Sequence, residues 1–445
     1  MIHFQTRVTS LRDLIGLAPA AVPAGPLLRW ASILFSLSVL TILLSLAASE
    51  ALLIASALLY AAHLLRHPSP PHFPPVKLPL TLFCLTTLIS IGWAENPTTG
   101  WFVVRKLVLF LILLLAVNLV TTTEHLERLY KALFVEAALA GLVATWQLVA
   151  QYRTVRVLYP TSIYDRMMLP RIHGFQGHWM QFGGQQMLMF TALLAFLLLA
   201  PGAGAGLKPA RTNRLMREAW WVVLAVVTVS IVLNFTRGVW LGCTLATLYL
   251  VARWKRRWLW ALPILLGLGY LAAPSMIHER VRLALHPSAD PTLSSRLQMW
   301  RVALRMIRAH PWVGVGPNNI EEVYPLYLPR GESPETLFHG HLHNNFLQFA
   351  AERGLPCLAT WVWLMTALGW YTWKVRRRLS TQRWIADATL AAWLAFLAEG
   401  CFEFNFGSSP VLLAFLFVSS TPFVAERVMV SHERHEQESG SGVAR

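Results

Sequence analysis

Acidic residues are scarce in this chain, and several common motifs for metals and nucleotides are missing. Only four aspartates occur among the 445 residues, and charged residues make up 13% of the sequence, against about 25% in soluble domains. The chain has no DxD pair, no Walker loop and no GxSxG turn. Metal-dependent phosphoryl or sugar-nucleotide chemistry is therefore poorly supported, and we expect no metal and no cofactor.

Cysteine is equally sparse. All four cysteines, Cys84, Cys243, Cys357 and Cys401, lie in apolar runs without a CxxC spacing. This pattern favours neither a disulfide framework nor a metal knuckle. The N-terminal segment also lacks a short apolar core followed by a cleavage site, so we expect the first membrane span to serve as an anchor.

Apolar residues are abundant, at 55% of the sequence, and the mean hydropathy is +0.49. A spanning helix needs about 20 apolar residues. The sequence predicts an all-α, polytopic membrane protein, a single transmembrane domain over residues 1–445 with about twelve spans. The expected spans are 28–48, 50–66, 78–94, 101–120, 129–151, 183–201, 219–235, 238–253, 257–274, 355–374, 384–403 and 408–425.

We interpret the net charge of +16 first as a signal of membrane topology and not as evidence of a nucleic-acid partner, because Lys and Arg collect in cytoplasmic loops. Basic loops alternate with sparsely basic ones along the chain. With an even number of spans, both termini lie in the cytoplasm. Residues 275–345, between the ninth and tenth spans, then form one long outside loop, which is periplasmic if the cell is a Gram-negative bacterium.

The long loop contains a basic amphipathic helix in LSSRLQMWRVALRMIRA, residues 293–309. Leu297, Trp300, Leu304 and Ile307 recur at helical spacing and predict one apolar face. Pro291 and Ser294 suit a helix start, and Pro311 stops it. We expect this helix on the membrane surface or packed on the bundle; packing alone, with solvated charges, is the simpler alternative.

The stretch HGHLHNNFLQFAAERGLP predicts a short helix that begins beside a histidine. Asn344 or Asn345 suits the N-cap, Gly354 the C-terminal end, and Pro356 follows. His343 would therefore lie at the positive end of a helix dipole, which disfavours imidazolium. A neutral imidazole accepts a proton, so His343 is a candidate general base.

Two other interpretations of these histidines stay open. His339 and His343 stand four residues apart and could bind zinc with a third ligand, although no HExxH motif is present. Alternatively the histidines are ordinary polar loop residues, an interpretation that fits His339 and His341 better than His343.

Basic residues at the outside ends of spans are candidate anion ligands. Arg105 and Lys106 could simply extend towards the membrane interface, whereas Arg237 lies in NFTRGVWLG, where Gly238 and Gly242 allow close helix approach. Arginines hold phosphate oxygens bidentately and could stabilise a departing diphosphate in place of a metal. Nucleotide sugars are not supplied outside the cytoplasm, so a lipid-linked diphosphate sugar is the natural donor.

Three segments resemble the O-antigen ligase and polymerase superfamily. They are NFTRGVWLG around Arg237, SSRLQMWRVALRMIRAHPWVGVGPNN from Ser294, and HLHNNFLQFAAERGLP from His341. Their order and placement also match, so the similarity covers roughly residues 225–375. The resemblance implies a metal-independent, GT-C-like glycosyltransferase that moves a glycan from undecaprenyl diphosphate to a hydroxyl and inverts the anomeric centre.

The same resemblance assigns roles to residues of this chain. His343 would activate the acceptor hydroxyl, with His341 as a secondary candidate. Arg237 and Arg296 would hold the diphosphate, and Arg105, Arg171 and Arg301 are further candidates.

In the ligase the acceptor is a sugar of the lipid A-core, and the protein lies in the bacterial inner membrane. The single dominant outside loop and its basicity favour the ligase. An O-antigen polymerase and a protein O-oligosaccharyltransferase are the alternatives in the superfamily. A glycolipid transporter or flippase is the alternative of another class; it would need charges within spans, for which Glu399 and Glu403 are the main candidates.

Overall fold

The computed structural model describes residues 25–158, 171–201, 211–273, 275–285, 291–332, 338 and 340–442. Within these ranges every regular element is a helix, which confirms the all-α prediction. The α-helices are α1 Pro26–Leu40, α2 Leu46–Arg66, α3 Lys77–Gly92, α4 Pro97–Leu107, α5 Leu111–Leu119, α6 Thr123–Leu158, α7 Trp179–Leu199, α8 Arg211–Leu233, α9 Arg237–Lys255, α10 Ala261–Leu271, α11 Ser275–Leu285, α12 Pro291–Ala309, α13 Ile320–Val323, α14 Asn345–Arg378, α15 Arg383–Gly400 and α16 Ser409–Gly442.

Several helices are long and apolar enough to cross a membrane, as expected of a membrane protein. Five segments of the described chain meet that criterion: Leu46–Arg66, Pro97–Leu119, Thr123–Arg153, Trp179–Leu199 and Ser409–Ser431. Helices α1 and α3 are apolar but shorter. The count of twelve spans and the sidedness of the loops stay predictions.

Two expected spans are divided differently in the structure. The span expected at 28–48 is interrupted, because α1 ends at Leu40 and α2 begins at Leu46, where Ser45 caps the new helix. The span expected at 257–274 consists of a 3-10 segment, Arg256–Trp260, followed by α10. At 1.5 Å per residue, α10 alone measures about 16 Å, roughly half of a hydrocarbon core.

Helices α7, α9 and α15 pack closely in the centre of the bundle. Gly242 of α9 makes this possible, since a Cβ atom there would lie 2.9 Å from the carbonyl oxygen of Ala395 on α15. At Gly238 a Cβ would lie 3.4 Å from Cγ of Glu399. The predicted close helix approach is confirmed at Gly242, whereas the contact at Gly238 is an ordinary van der Waals distance. Arg237 lies at the start of α9.

The long loop has its own hydrophobic core rather than an extended course. Buried residues of α12 pack against the segments 315–324 and 342–351 in a separate cluster. Its members are Met299, Val302, Ala303, Met306, Val315, Ile320, Val323, Tyr324, Leu342 and Ala351. Helix α12 begins at Pro291 and ends before Pro311, as predicted.

The apolar face predicted for α12 is divided in the structure, because Trp300 and Ile307 pack against the buried cluster while Leu297 and Leu304 do not. Leu297 and Leu304 are 47% and 46% exposed, whereas Met299, Val302 and Met306 are buried. The helix carries apolar residues on two sides, and periodicity alone does not say which side meets protein. The outer leucines are what a helix lying on a membrane surface would present.

Candidate active site

The N-terminus of α14 positions the histidine segment. The Asn344 side chain caps the helix and accepts a hydrogen bond from the backbone N–H of Leu347 at 3.0 Å. Helical geometry is interrupted at Gly354, with φ 82° and ψ 168°, before the chain continues as helix to Arg378. The predicted start and end of this short helix are therefore confirmed.

Asparagine side chains fasten the histidine segment to the turn between α15 and α16. Asn344 donates from Nδ2 to the carbonyl of Cys401 at 2.9 Å. Asn345 donates from Nδ2 to Oδ1 of Asn405 at 2.6 Å and accepts from the N–H of Phe406. Gly400 is needed for this approach, because a Cβ there would lie 2.3 Å from Nδ2 of Asn345.

This docking brings two histidines onto one carboxylate. Nδ1 of His343 lies 2.8 Å from Oε2 of Glu403, and Nδ1 of His341 lies 3.9 Å from Oε1. The two imidazole rings have their centroids 4.1 Å apart. His343 and Glu403 are buried, with 7% and 8% of their surfaces exposed.

Glu403 is held as a carboxylate. Burial alone would raise its pKa, but the charge and hydrogen bond of His343, together with His341 and Arg296, outweigh burial and keep the pKa well below its usual range. An ionised carboxylate accepts a hydrogen bond from Nδ1–H, which fixes the tautomer of His343 and leaves Nε2 as the proton acceptor.

His343 has a strained backbone, with φ 48°. Two other non-glycine residues of the described chain have positive φ, Phe235 at 55° and Asn318 at 62°. Such conformations cost of order 1–3 kcal/mol each and persist where neighbours enforce them. At His343 the enforcing contacts involve Leu342, whose N–H donates to Gln348 at 2.9 Å and whose carbonyl accepts from the Trp300 indole at 3.2 Å.

A cavity of about 320 Å³ opens in front of the histidines; we call it the arginine cavity. Three guanidinium groups reach it from separate segments: Arg171 before α7, Arg237 at the start of α9 and Arg296 on α12. Arg171 lies over the Trp179 ring, 4.9 Å from its centroid. The remaining lining includes His341, His343, Glu403, Phe235, His178 and Glu399. Three cations beside a proton acceptor fit an anionic group that departs as a proton is taken up.

Two of the predicted donor-binding residues do not line the arginine cavity. Arg301 is exposed on α12, with Nη1 3.7 Å from Glu332. Arg105 is exposed on α4, and its neighbour Lys106 points inward instead, donating from Nζ to the carbonyl of Gly407 at 2.6 Å. Their predicted roles are untested, but the other predicted residues, Arg171, Arg237, Arg296, His341 and His343, share one cavity.

A metal-binding donor set is present that the sequence did not reveal. In the described part of the chain, His341, His343 and Glu403 offer ligand atoms within 4.8 Å of one another. Two imidazoles and a carboxylate suit zinc, but a cation there would face Arg296 and displace the Nδ1 proton of His343. His339, part of the other zinc hypothesis, lies outside the described residues.

Glu403 is the functional candidate that sequence reasoning missed. It was considered only as a charge within a span, yet it lies in the turn after α15. Glu399, the other such residue, is on α15 and accepts from Nδ2 of Asn405 at 3.0 Å. The surrounding FEFNFG matches no catalytic motif, so only the asparagine contacts across the turn could have pointed to Glu403.

The three sequence segments singled out above meet at this site. The backbone N–H groups of Val315 and Gly316 donate to the carbonyls of Ala351 and Glu352 at 3.0 and 2.8 Å. This joins GVGPNN to AAERG, while NFTRGVWLG supplies Phe235 and Arg237 to the cavity wall. The order of these segments along the chain thus corresponds to one spatial arrangement.

The O-antigen ligase family model matches residues 221–362. Over these residues the chain is similar to the O-antigen ligase family. The O-antigen ligase match agrees closely with the range 225–375 expected from the motifs, and it covers less than half of the chain. It includes Arg237, Arg296, His341 and His343, whereas Arg171 and Glu403 lie outside it. No curated protein matches the chain significantly.

Proposed function

We propose that this protein is an O-antigen ligase. It transfers the O-antigen glycan from undecaprenyl diphosphate to a sugar hydroxyl of the lipid A-core, completing lipopolysaccharide. His343 is the general base, His341 assists it, and the reaction inverts the anomeric centre without a metal ion. The observation that supports this most strongly is the gathering of three arginines beside the His343–Glu403 pair in one cavity.

The arginines replace a divalent ion in the proposed reaction. Arg171, Arg237 and Arg296 bind the diphosphate, with Arg105 and Arg301 as outer candidates. At about 4 Å and an effective dielectric constant near 20, each opposite-charge pair contributes roughly 4 kcal/mol before desolvation. Such preorganised charge favours the leaving diphosphate more than the ground state, because negative charge accumulates there as the glycosidic bond breaks.

The proton and the bonds balance in a single displacement. The acceptor hydroxyl oxygen forms the new bond to the anomeric carbon, and the bond from that carbon to the phosphate oxygen breaks. Nε2 of His343 takes the hydroxyl proton, while Glu403 stabilises the resulting imidazolium. A positioned base of this kind contributes typically about 10²–10⁴ in rate.

We place the protein in the bacterial inner membrane, with about twelve spans in a GT-C-like arrangement. The N- and C-termini lie in the cytoplasm, and the loop 275–345 lies in the periplasm. The distribution of Lys and Arg among short loops supports this orientation. The polyprenyl tail of the donor would then remain in the bilayer while its diphosphate enters the arginine cavity.

An O-antigen polymerase or a protein O-oligosaccharyltransferase would use the same donor chemistry with another acceptor. A transporter or flippase is less well supported, because Glu403, one of its two candidate mid-span charges, lies in a turn and pairs with His343. These alternatives differ in what happens to the acceptor, so the acceptor decides among them.

The deciding experiment is a cell-free assay with purified protein and an undecaprenyl-diphosphate-linked glycan. Lipid A-core, a second donor lipid and a pilin-like protein are offered in parallel. We expect glycan on the lipid A-core. Glycan on the donor lipid would indicate a polymerase and glycan on the protein an oligosaccharyltransferase; no covalent product in any arm would contradict the ligase proposal.

A further inference from the structure

A second cavity adjoins the arginine cavity, and the ligase proposal leaves it without a role. Its volume is about 430 Å³. The two cavities share the side chains His178, Met180, His341, Glu399 and Glu403. His341 and Glu403 therefore line both cavities, whereas His343 lines only the arginine cavity of the two.

The two cavities have different charge. The arginine cavity has three arginines, whereas the second has carboxylates and amides from Asn318, Glu321, Gln348 and Glu352, together with Lys106 and Arg353. Arg353 is already neutralised, because its Nε lies 3.3 Å from Oε2 of Glu352 and both residues are buried. The second cavity is thus poorly suited to a diphosphate and rich in groups that hydrogen-bond hydroxyls.

Glu321 is the carboxylate of this cavity that a ligand can reach, since it is exposed on the short helix α13. Its position depends on Gly340, which has φ 77°; a Cβ atom there would lie 2.8 Å from Oε2 of Glu321. Glycine at residue 340 therefore leaves room for the carboxylate one residue before His341. Asn318, which lines the same cavity, is one of the three non-glycine residues with positive φ in the described part of the chain.

We propose that the second cavity binds the acceptor glycan, and that Glu321 hydrogen-bonds its hydroxyl groups. This inference rests on the proposed transferase function and deepens it. The acceptor lies in the second cavity, and its reacting hydroxyl extends past His341 and Glu403, which line both cavities, to Nε2 of His343 in the arginine cavity. Inversion requires that this hydroxyl attack the anomeric carbon on the face opposite the departing diphosphate.

The test compares two adjacent glutamates. Glu321→Gln removes the charge of the cavity carboxylate while keeping its shape. Glu322→Gln is the matched control, because Glu322 is also exposed on α13 but does not line the cavity and accepts from Nδ2 of Asn96. Steady-state transfer is measured against both substrates. We expect Glu321→Gln to raise the KM for the acceptor about tenfold, the size of a charged hydrogen bond, and to leave the KM for the donor unchanged.

A binding measurement separates failure of this inference from failure of the ligase proposal. Lipid A-core is titrated onto each variant in nanodiscs without donor, so the readout needs no turnover. Weaker binding by Glu321→Gln alone supports the acceptor site even if no glycan is transferred. Equal binding and equal acceptor KM in the two variants, or a change confined to the donor KM, would overturn it.

Discussion

Nδ1 of His343 lies 2.8 Å from Oε2 of Glu403, although 60 residues separate them in sequence. The contact joins the start of α14 to the turn after α15. It supplies what the helix N-terminus alone does not: a fixed tautomer and a negative charge beside the imidazole. The N-terminus of α14 and the Glu403 carboxylate therefore both act on the imidazole of His343.

Replacing His343 should abolish transfer without unfolding the protein. In His343→Ala we expect kcat to fall by about 10²–10⁴, because the acceptor hydroxyl loses its base. The measurement is turnover of purified protein with lipid-linked donor and lipid A-core. His67→Ala is the control, since His67 is exposed and lines neither cavity. Near-normal turnover by His343→Ala would remove this residue as the base.

The Glu403 carboxylate predicts a specific acid sensitivity. Its pKa in the folded protein is below the ordinary 4.5, so its ionised form stabilises the fold above that pH, and this contribution is lost as pH falls through the lowered pKa. Wild type should exceed Glu403→Gln in thermal stability at neutral pH, and the difference should shrink below about pH 4.5. A difference that stays constant into strong acid would argue against the ion pair.

Alanine substitutions of arginines inside and outside the cavity should differ in their effect on use of the donor. Arg237→Ala and Arg296→Ala should each lower kcat/KM for the donor by roughly 10²-fold, the typical loss of one charge-stabilising donor at a reaction centre. Arg301→Ala on α12 should have a much smaller effect, because Arg301 is exposed and pairs with Glu332 outside the cavity. Donor titrations at saturating acceptor distinguish them; equal effects of all three would mean that the cavity does not select the diphosphate ligands.

Removing metal ions should leave transfer unchanged, whereas adding zinc should inhibit it. EDTA should leave transfer intact, since the proposed reaction uses guanidinium groups in place of a cation. Excess Zn²⁺ should inhibit, because His341, His343 and Glu403 form a plausible ligand set and metal binding would occupy the base. His341→Ala should weaken zinc binding measured by calorimetry. Activity lost with EDTA and restored by Mg²⁺ would contradict the metal-independent mechanism.

Packing between α9 and α15 should be intolerant of a single methyl group. Gly242→Ala would place Cβ 2.9 Å from the Ala395 carbonyl oxygen, which should cost about 1–3 kcal/mol of stability. Gly267→Ala on α10 is the control, because nothing lies within 4 Å of its added Cβ. Thermal unfolding in detergent should show a lower midpoint only for Gly242→Ala; equal midpoints would indicate a looser interface.

Local chemistry explains which features the sequence could predict. The asparagine cap before α14, the helix break at Gly354 and the ends of α12 at Pro291 and Pro311 all depend on residues within a few positions. The glycines of NFTRGVWLG likewise indicated close packing, because only small residues permit it. The cap and the helix break together predict that His343 lies at the start of a helix.

Features that depend on distant contacts were not predictable. Glu403 reaches His343 across the turn after α15, and no spacing rule connects the two. Which residues of α12 meet protein was not predictable, because Leu297 and Leu304 continue the helical spacing of Trp300 and Ile307 while remaining exposed. In a membrane protein apolar residues can face either lipid or protein, so hydropathy alone does not distinguish Leu304 from Met306.

All three described non-glycine residues with positive φ line the two cavities: Phe235 and His343 the first, Asn318 the second. Sequence changes that relax these backbones, such as glycine at residue 318, should make the protein more heat-resistant. Selection for thermal stability alone would therefore favour a relaxed backbone around the cavities, at the expense of the proposed transfer reaction. Thermostable variants of this protein are best sought in the distant bundle, where the backbone is already relaxed.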